Sequence, residues 1–137
     1  FGAGSKMKFV ANLLVAIHNV SAAEAFVMGM KGGLDPETMY RVITDGAGSS
    51  RMLEVRGPMM VTGEYSPATM KLGLFQKDIA IIREFAREMG SPTPLLDVSA
   101  EIYDQANARG WQDLDTGAVC AVLEQMAGWT RSLKPTV

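Results

Sequence analysis

A lysine and an asparagine four residues apart, Lys8 and Asn12, are the residues of this 137-residue chain whose types and spacing best suit chemistry. On a helix, positions i and i+4 share one face, with side chains about 6 Å apart. The pair would then place a flexible cationic donor beside a neutral amide, where a small carbonyl compound could be held and protonated. From residue type alone, a surface lysine whose stem covers apolar residues is the commoner interpretation.

The pair stands near the start of a long apolar segment. From Lys8 to about Met30 there is no proline and apolar residues recur at helical spacing and beyond, which predicts one helix of about seven turns. Lys31-Gly32-Gly33 should end it, because a last-turn cation and glycines able to adopt positive φ are typical of a helix C-terminus. Gly2 and Gly4 lack the further residues of a dinucleotide fingerprint or a phosphate-binding loop, so we expect a flexible entry to the helix.

The rest of the chain also carries helical periodicity, and no stretch alternates with a period of two. The prediction is an all-α fold of about six helices around the long N-terminal one. A short helix over residues 51–56 should stop at Gly57-Pro58, followed by irregular chain over 59–66. Later helices are predicted from about Thr69 to Gly90, over Leu95–Ala108, and after Asp115 as an N-cap.

Composition and charge exclude several classes of protein. The apolar fraction of 47%, the charged fraction of 20% and the net charge of −2 fit one globular domain. Lysine and arginine are scattered, so we expect neither a nucleic-acid partner nor an anionic membrane surface. The longest uncharged run, Phe9–Ala23, is shorter than the roughly 20 apolar residues of a membrane span. It is interpreted as a core helix.

Single residues with reactive side chains offer little further chemistry. Cys120 is the lone cysteine, and no secretion signal precedes the helix. This predicts a cytoplasmic protein without an intrachain disulfide. With one histidine, His18, far from the cysteine, neither a metal site nor a Cys-His dyad is expected. His18 and Asn19 are interpreted as structural hydrogen bonders, and Asp113 and Asp115 as capping or turn residues.

Three motifs in order resemble the C-terminal domain of the β-hydroxyacid dehydrogenases, which include 3-hydroxyisobutyrate dehydrogenase, tartronate semialdehyde reductase and glyoxylate/succinic semialdehyde reductase. They are Gly2-x-Gly4-x-x-x-Lys8-x-x-x-Asn12, then Gly33-Leu34-Asp35-Pro36 at a helix entry, and Lys77-Asp78-Ile79-Ala80 in an apolar helix. The resemblance implies a helical domain over residues 1–137, like the C-terminal domain of 6-phosphogluconate dehydrogenase. It also implies a preceding dinucleotide-binding Rossmann domain that this chain lacks.

The same resemblance assigns roles to residues. It implies that Lys8 is the catalytic acid/base, that Asn12 orients the substrate, that Lys77 reaches the dinucleotide and that Asp78 supports the substrate end of the site. NAD or NADP would be bound mainly by the missing domain. The substrate would be a small hydroxy acid or its semialdehyde, and the parent protein a homodimer or tetramer. We expect the chain alone to be inactive.

Two other interpretations stay open at this stage. The chain could be a non-catalytic dimerisation or interaction module of the same fold, although such relatives typically lose the lysine found here at Lys8. It could also be an unrelated helical bundle with chance motif matches, in which Lys77 and Asp78 are simply an exposed pair. Met70 stands where many family members have phenylalanine, which leaves the shape of the substrate pocket, and so the acid used, open.

Overall fold

The computed structural model describes residues 2–131, which contain six α-helices, one 3₁₀ turn and no β-strand. The predicted all-α class is confirmed. The helices are α1 (Ala3–Lys31), α2 (Pro36–Thr44), α3 (Arg51–Thr62), α4 (Leu72–Glu88), α5 (Pro94–Ala108) and α6 (Val119–Met126), with the 3₁₀ turn at Thr116–Ala118.

The long helix α1 is the centre of the domain, since it contacts each of the other five helices. Its 29 residues give it a length of about 44 Å. Buried side chains recur along one stripe every three or four residues, at Ala16, Asn19, Ala23, Phe26 and Met30. The first turns of α1 lie outside this buried stretch, and residues 2–8 are all exposed.

By length and composition alone, α1 is also the one helix within residues 2–131 that could cross a membrane. Half of its most apolar stretch is nevertheless buried inside the domain. A core helix of a soluble protein passes the same test.

The ends of α1 differ in how well the sequence predicts them. Gly2 is the N-cap and Gly4 lies within the first turn, so the helix begins at Ala3 rather than at the predicted Lys8. A Cβ at either glycine would meet no other atom. Gly2 is extended, and Gly4 adopts the helical conformation at a modest entropic cost. The C-terminal end is as predicted: Gly33 adopts φ of 93°, and the amide of Leu34 donates to the carbonyl of Gly29 at 2.9 Å.

Helix α3 does not stop at Gly57-Pro58 but continues to Thr62, which corrects the prediction of a short helix followed by irregular chain. A proline has no amide hydrogen for the carbonyl four residues earlier, here that of Glu54. The hydroxyl of Tyr40 donates to this carbonyl instead, at 2.7 Å. Gly57 permits the approach, because a Cβ there would lie 2.5 Å from the ring of Tyr40.

A buried carboxylate joins three parts of the domain. Oδ2 of Asp115 accepts hydrogen bonds from the amides of Thr69 and Met70, at 3.0 and 3.2 Å, and from the Thr69 hydroxyl. Oδ1 accepts from the amide of Gly117 at 2.8 Å and lies 3.0 Å from Nε of Arg56. The predicted capping role of Asp115 is confirmed, and the structure adds a buried ion pair.

Replacing Asp115 by asparagine should lower the free energy of unfolding by about 3–5 kcal/mol, because the Arg56 guanidinium would stay buried without its counter-charge. Urea denaturation followed by circular dichroism would measure this. Asp113→Asn is the matched control, since that carboxylate is 90% exposed and lies 3.6 Å from Lys71. The control should leave the midpoint unchanged. Equal midpoints for both variants would contradict a stabilising role for the buried pair.

Candidate active site

Lys8 and Asn12 lie one turn apart on α1. They are on the same side of the helix as Ala16 and Asn19, which are buried further along it. Lys8 is exposed and Asn12 is half-buried. Among residues 2–131, neither side chain makes a hydrogen bond or an ion pair. The predicted pair therefore exists on one helix face, at the thinly covered end of the bundle.

Helix α4 runs antiparallel to this part of α1, and two sets of contacts fix the alignment. At one end, the rings of Phe9 and Phe85 are 5.2 Å apart between centroids, tilted by 49°. At the other end, the hydroxyl of Tyr103 on α5 donates to the carbonyl of Ala16 at 2.8 Å, while its ring lies 5.4 Å from that of Phe75. We call the stretch between these contacts the α1–α4 seam.

Asn12 and Asp78 both fall within the seam. Asp78 is half-buried and lies between Phe75 and Phe85, seven residues before the latter. At that spacing it shares with Phe85 the side of α4 that faces α1. Lys8 stands at the open end of the seam. Asn12 and Asp78 thus lie between the two ring contacts, on the facing sides of α1 and α4, and Lys8 lies beside the outer contact.

Lys77 lies away from the seam, because one residue along a helix turns the side chain by about 100°. It is exposed and lines a groove of about 410 Å³ between α4 and α5, together with Gln76, Arg83 and Asp104. Lys77 makes no hydrogen bond or ion pair within the described part of the chain. Its ammonium group faces a different surface from the Lys8–Asn12 pair.

Met70, which the resemblance places at a phenylalanine position, lies just before α4 and is partly buried. Its backbone is fixed on both sides by the buried polar network. The amide of Met70 donates to Asp115, and its carbonyl accepts from the amide of Thr116 at 3.0 Å. The chain path at this position is therefore held by the core.

The position of α1 depends on buried residues that sequence reasoning only partly identified. Asn19 is 1% exposed, and its Nδ2 donates to the Tyr103 hydroxyl at 3.0 Å and to the Thr116 carbonyl at 2.9 Å. This confirms the interpretation of Asn19 as a structural hydrogen bonder. Burial raises the pKa of Tyr103, so its hydroxyl remains a donor to the helix backbone. Nothing in the sequence distinguished this tyrosine from an ordinary core aromatic residue.

The other reactive side chains lie outside the seam. His18 lines a cavity of about 420 Å³ between α1 and the loop before α3, with Ser21, Ser49 and Ser50 among the other lining residues. Cys120 is fully buried, and burial raises the pKa of its thiol to about 12. Within residues 2–131, no group of three His, Cys, Asp or Glu side chains could hold a metal ion.

Known proteins are similar to this chain in both sequence and fold. Residues 2–123 match the family described as NAD-binding of NADP-dependent 3-hydroxyisobutyrate dehydrogenase. L-threonate dehydrogenase of Cupriavidus necator is 36% identical over 121 residues, covering 88% of this chain and 40% of that protein. For 2-(hydroxymethyl)glutarate dehydrogenase of Eubacterium barkeri, the identity is 34% over 127 residues, covering 93% of this chain and 42% of that protein.

The crystal structure of 3-hydroxyisobutyrate dehydrogenase from Salmonella typhimurium superposes with a TM-score of 0.85 at 31% identity, over 88% of this chain and 42% of that one. The fold is thus that of the helical part of hydroxyacid dehydrogenases. The chain belongs to the β-hydroxyacid dehydrogenase family, as the resemblance predicted. It spans about 40% of the length of the curated relatives it matches.

Cys120 should resist thiol reagents as long as the chain is folded. With a pKa of about 12, only about 10⁻⁴ of the thiol is thiolate at pH 8, and the thiolate is the reactive form. Labelling with Ellman's reagent should be at least about 100-fold slower in native buffer than in urea. Because Cys120 is the sole cysteine, the absorbance reports this residue alone. Fast labelling of the native chain would contradict the buried position.

Proposed function

We propose that this chain is the helical C-terminal domain of an NAD(P)-dependent oxidoreductase that interconverts a small β-hydroxy acid and its semialdehyde. The observation that carries the proposal is the placement of Lys8, Asn12 and Asp78 along one seam, in a chain that belongs to a family of dehydrogenases. The share of the relatives' length that the chain spans, about 40%, supports a preceding dinucleotide-binding domain in the parent protein.

Each seam residue has a role that its chemistry suits. During oxidation the amine of Lys8 takes the proton from the substrate hydroxyl, and during reduction its ammonium group returns a proton to the carbonyl oxygen. The amide of Asn12, one turn away, donates a hydrogen bond that orients the same substrate. The carboxylate of Asp78, half-buried on the side of α4 that faces α1, supports the substrate end of the site, as the family resemblance implies. A bound nicotinamide cofactor supplies the hydride acceptor or donor.

Lys77 is positively charged and exposed, and both properties suit a contact with the cofactor. Its ammonium group lies on the outer surface of α4, beside the groove that Arg83 also lines. Cations of this kind suit the phosphate groups of NAD or NADP. We infer that the cofactor is held mainly by the preceding domain and touches this one at Lys77. The single, buried thiol of Cys120 is compatible with a cytoplasmic enzyme.

Lys8→Ala in the full-length parent protein should lower turnover of small semialdehydes with NADH or NADPH by about 10² or more, because the proton donor is lost. Steady-state kinetics at pH 7 would measure it. Lys6→Ala is the matched control: this lysine is also exposed on the first turns of α1 but lies two residues away on another side. We expect the control to keep wild-type turnover.

The isolated 137-residue chain serves as the background measurement and should show no steady turnover. If the parent protein turns over none of the semialdehydes, or Lys8→Ala is as fast as wild type, the domain is a non-catalytic interaction module of the same fold. If the Lys6 and Lys8 variants lose activity equally, the loss reflects the charge of the helix end rather than a proton transfer.

We also propose that the parent protein is a homo-oligomer. The side of α1 opposite the buried stripe carries exposed large apolar residues, with relative exposures of 69% at Met7, 56% at Val10, 48% at Leu14 and 76% at Met28. An exposed apolar stripe of this length is typical of an interaction surface. A second copy of the same helix is the occupant that the family resemblance implies.

Leu14→Glu should shift the parent protein towards a monomer, because a carboxylate would be buried in the apolar contact. Sedimentation velocity at micromolar concentration would measure the mass. Glu24→Gln is a suitable control, since it is exposed on the same helix and removes a charge instead of adding one. A monomeric wild-type protein, or an unchanged mass for the Leu14 variant, would contradict self-association through this face.

A further inference from the structure

The first turns of α1 carry the proposed catalytic pair but have little cover. Over residues 2–14, only Phe9, Asn12 and Leu13 are partly buried and the others are exposed. Full burial begins at Ala16. The position of Lys8 relative to α4 therefore depends on few side-chain contacts, and the contact of Phe9 with α4 lies directly beside it.

We infer that Phe85 is a positioning residue for the Lys8–Asn12 pair and that it acts through Phe9. The inference rests on the function proposed above. The two rings are 5.2 Å apart and tilted by 49°, a separation at which aromatic pairs attract each other. Phe9 follows Lys8 directly and precedes Asn12 by three residues, so a displacement of Phe9 moves the turns that carry both.

The same contact sets the distance across the seam. Asp78 lies seven residues before Phe85 on α4, which is two helical turns or about 10 Å. When the Phe9–Phe85 contact holds α1 and α4 together, Asp78 and Asn12 keep a fixed separation. A displacement of about 1 Å in a catalytic arrangement can lower the rate about 10²-fold. The ring contact therefore influences turnover without touching the substrate.

Phe75 provides a natural comparison at the opposite end of the seam. It is only 2% exposed, and its ring packs against Tyr103 at 5.4 Å. At that end, hydrogen bonds of Tyr103 and Asn19 already hold α1 in place. Substitution of Phe75 should therefore reduce stability more than substitution of Phe85, while leaving the first turns of α1 where they are.

The test uses the full-length parent protein. Phe85→Leu and Phe9→Leu should each lower kcat about tenfold, and the double variant should be no slower than either single variant, because both act through one contact. Phe85→Tyr keeps the ring and should stay within about twofold of wild type. Phe75→Leu should lower the melting temperature more than Phe85→Leu, yet keep kcat at a temperature where it is folded.

A second measurement does not depend on activity. In the 137-residue chain, amide hydrogen exchange over residues 6–12 should accelerate about tenfold in Phe85→Leu and remain unchanged in Phe75→Leu. Unchanged exchange and unchanged kcat in Phe85→Leu would overturn the inference, as would multiplying losses in the double variant. If Lys8→Ala keeps full activity, the proposed function fails, whereas the exchange result still decides whether Phe85 holds the end of α1.

Discussion

The buried carboxylate of Asp115 is the constraint on which the rest of the domain depends. A carboxylate with no exposure is tolerated only with a counter-charge and hydrogen bonds to its oxygens. Its partners come from α3, from the segment that leads into α4 and from the 3₁₀ turn. The next residue, Thr116, accepts from Asn19 and so brings α1 to the same point. Four parts of the chain are held around one charge.

From this point the burial of side chains decreases along α1 towards its N-terminus. Asn19 and Tyr103 fix the middle of the helix by buried hydrogen bonds, the Phe9 ring provides partial cover, and the residues before it are exposed. The proposed catalytic pair therefore lies where the rigid core ends. Such a position suits a site that has to meet a second domain, since cover supplied from outside can complete it.

The parts of the fold predicted from sequence are those set by neighbouring residues. At the predicted helix entry Gly33–Pro36, Asp35 accepts from the amide of Thr38 at 2.9 Å, and the Lys8–Asn12 spacing needs only one helical turn. The failures involve distant partners. The helix stop expected at Gly57-Pro58 is absent, and Tyr40 on the preceding helix satisfies the backbone group that the proline leaves unpaired. Which turn of α4 lies opposite Asn12 depends likewise on how two helices pack, which periodicity does not reveal.

The contact between Tyr40 and the carbonyl of Glu54 has a consequence for how this sequence could have changed over time. A proline at position 58 breaks a helix unless another donor reaches that carbonyl, and the tyrosine hydroxyl is that donor. Positions 40 and 58 are therefore coupled: loss of the Tyr40 hydroxyl costs more stability beside Pro58 than beside a residue with its own amide hydrogen. A change at one position alters which residues are tolerated at the other.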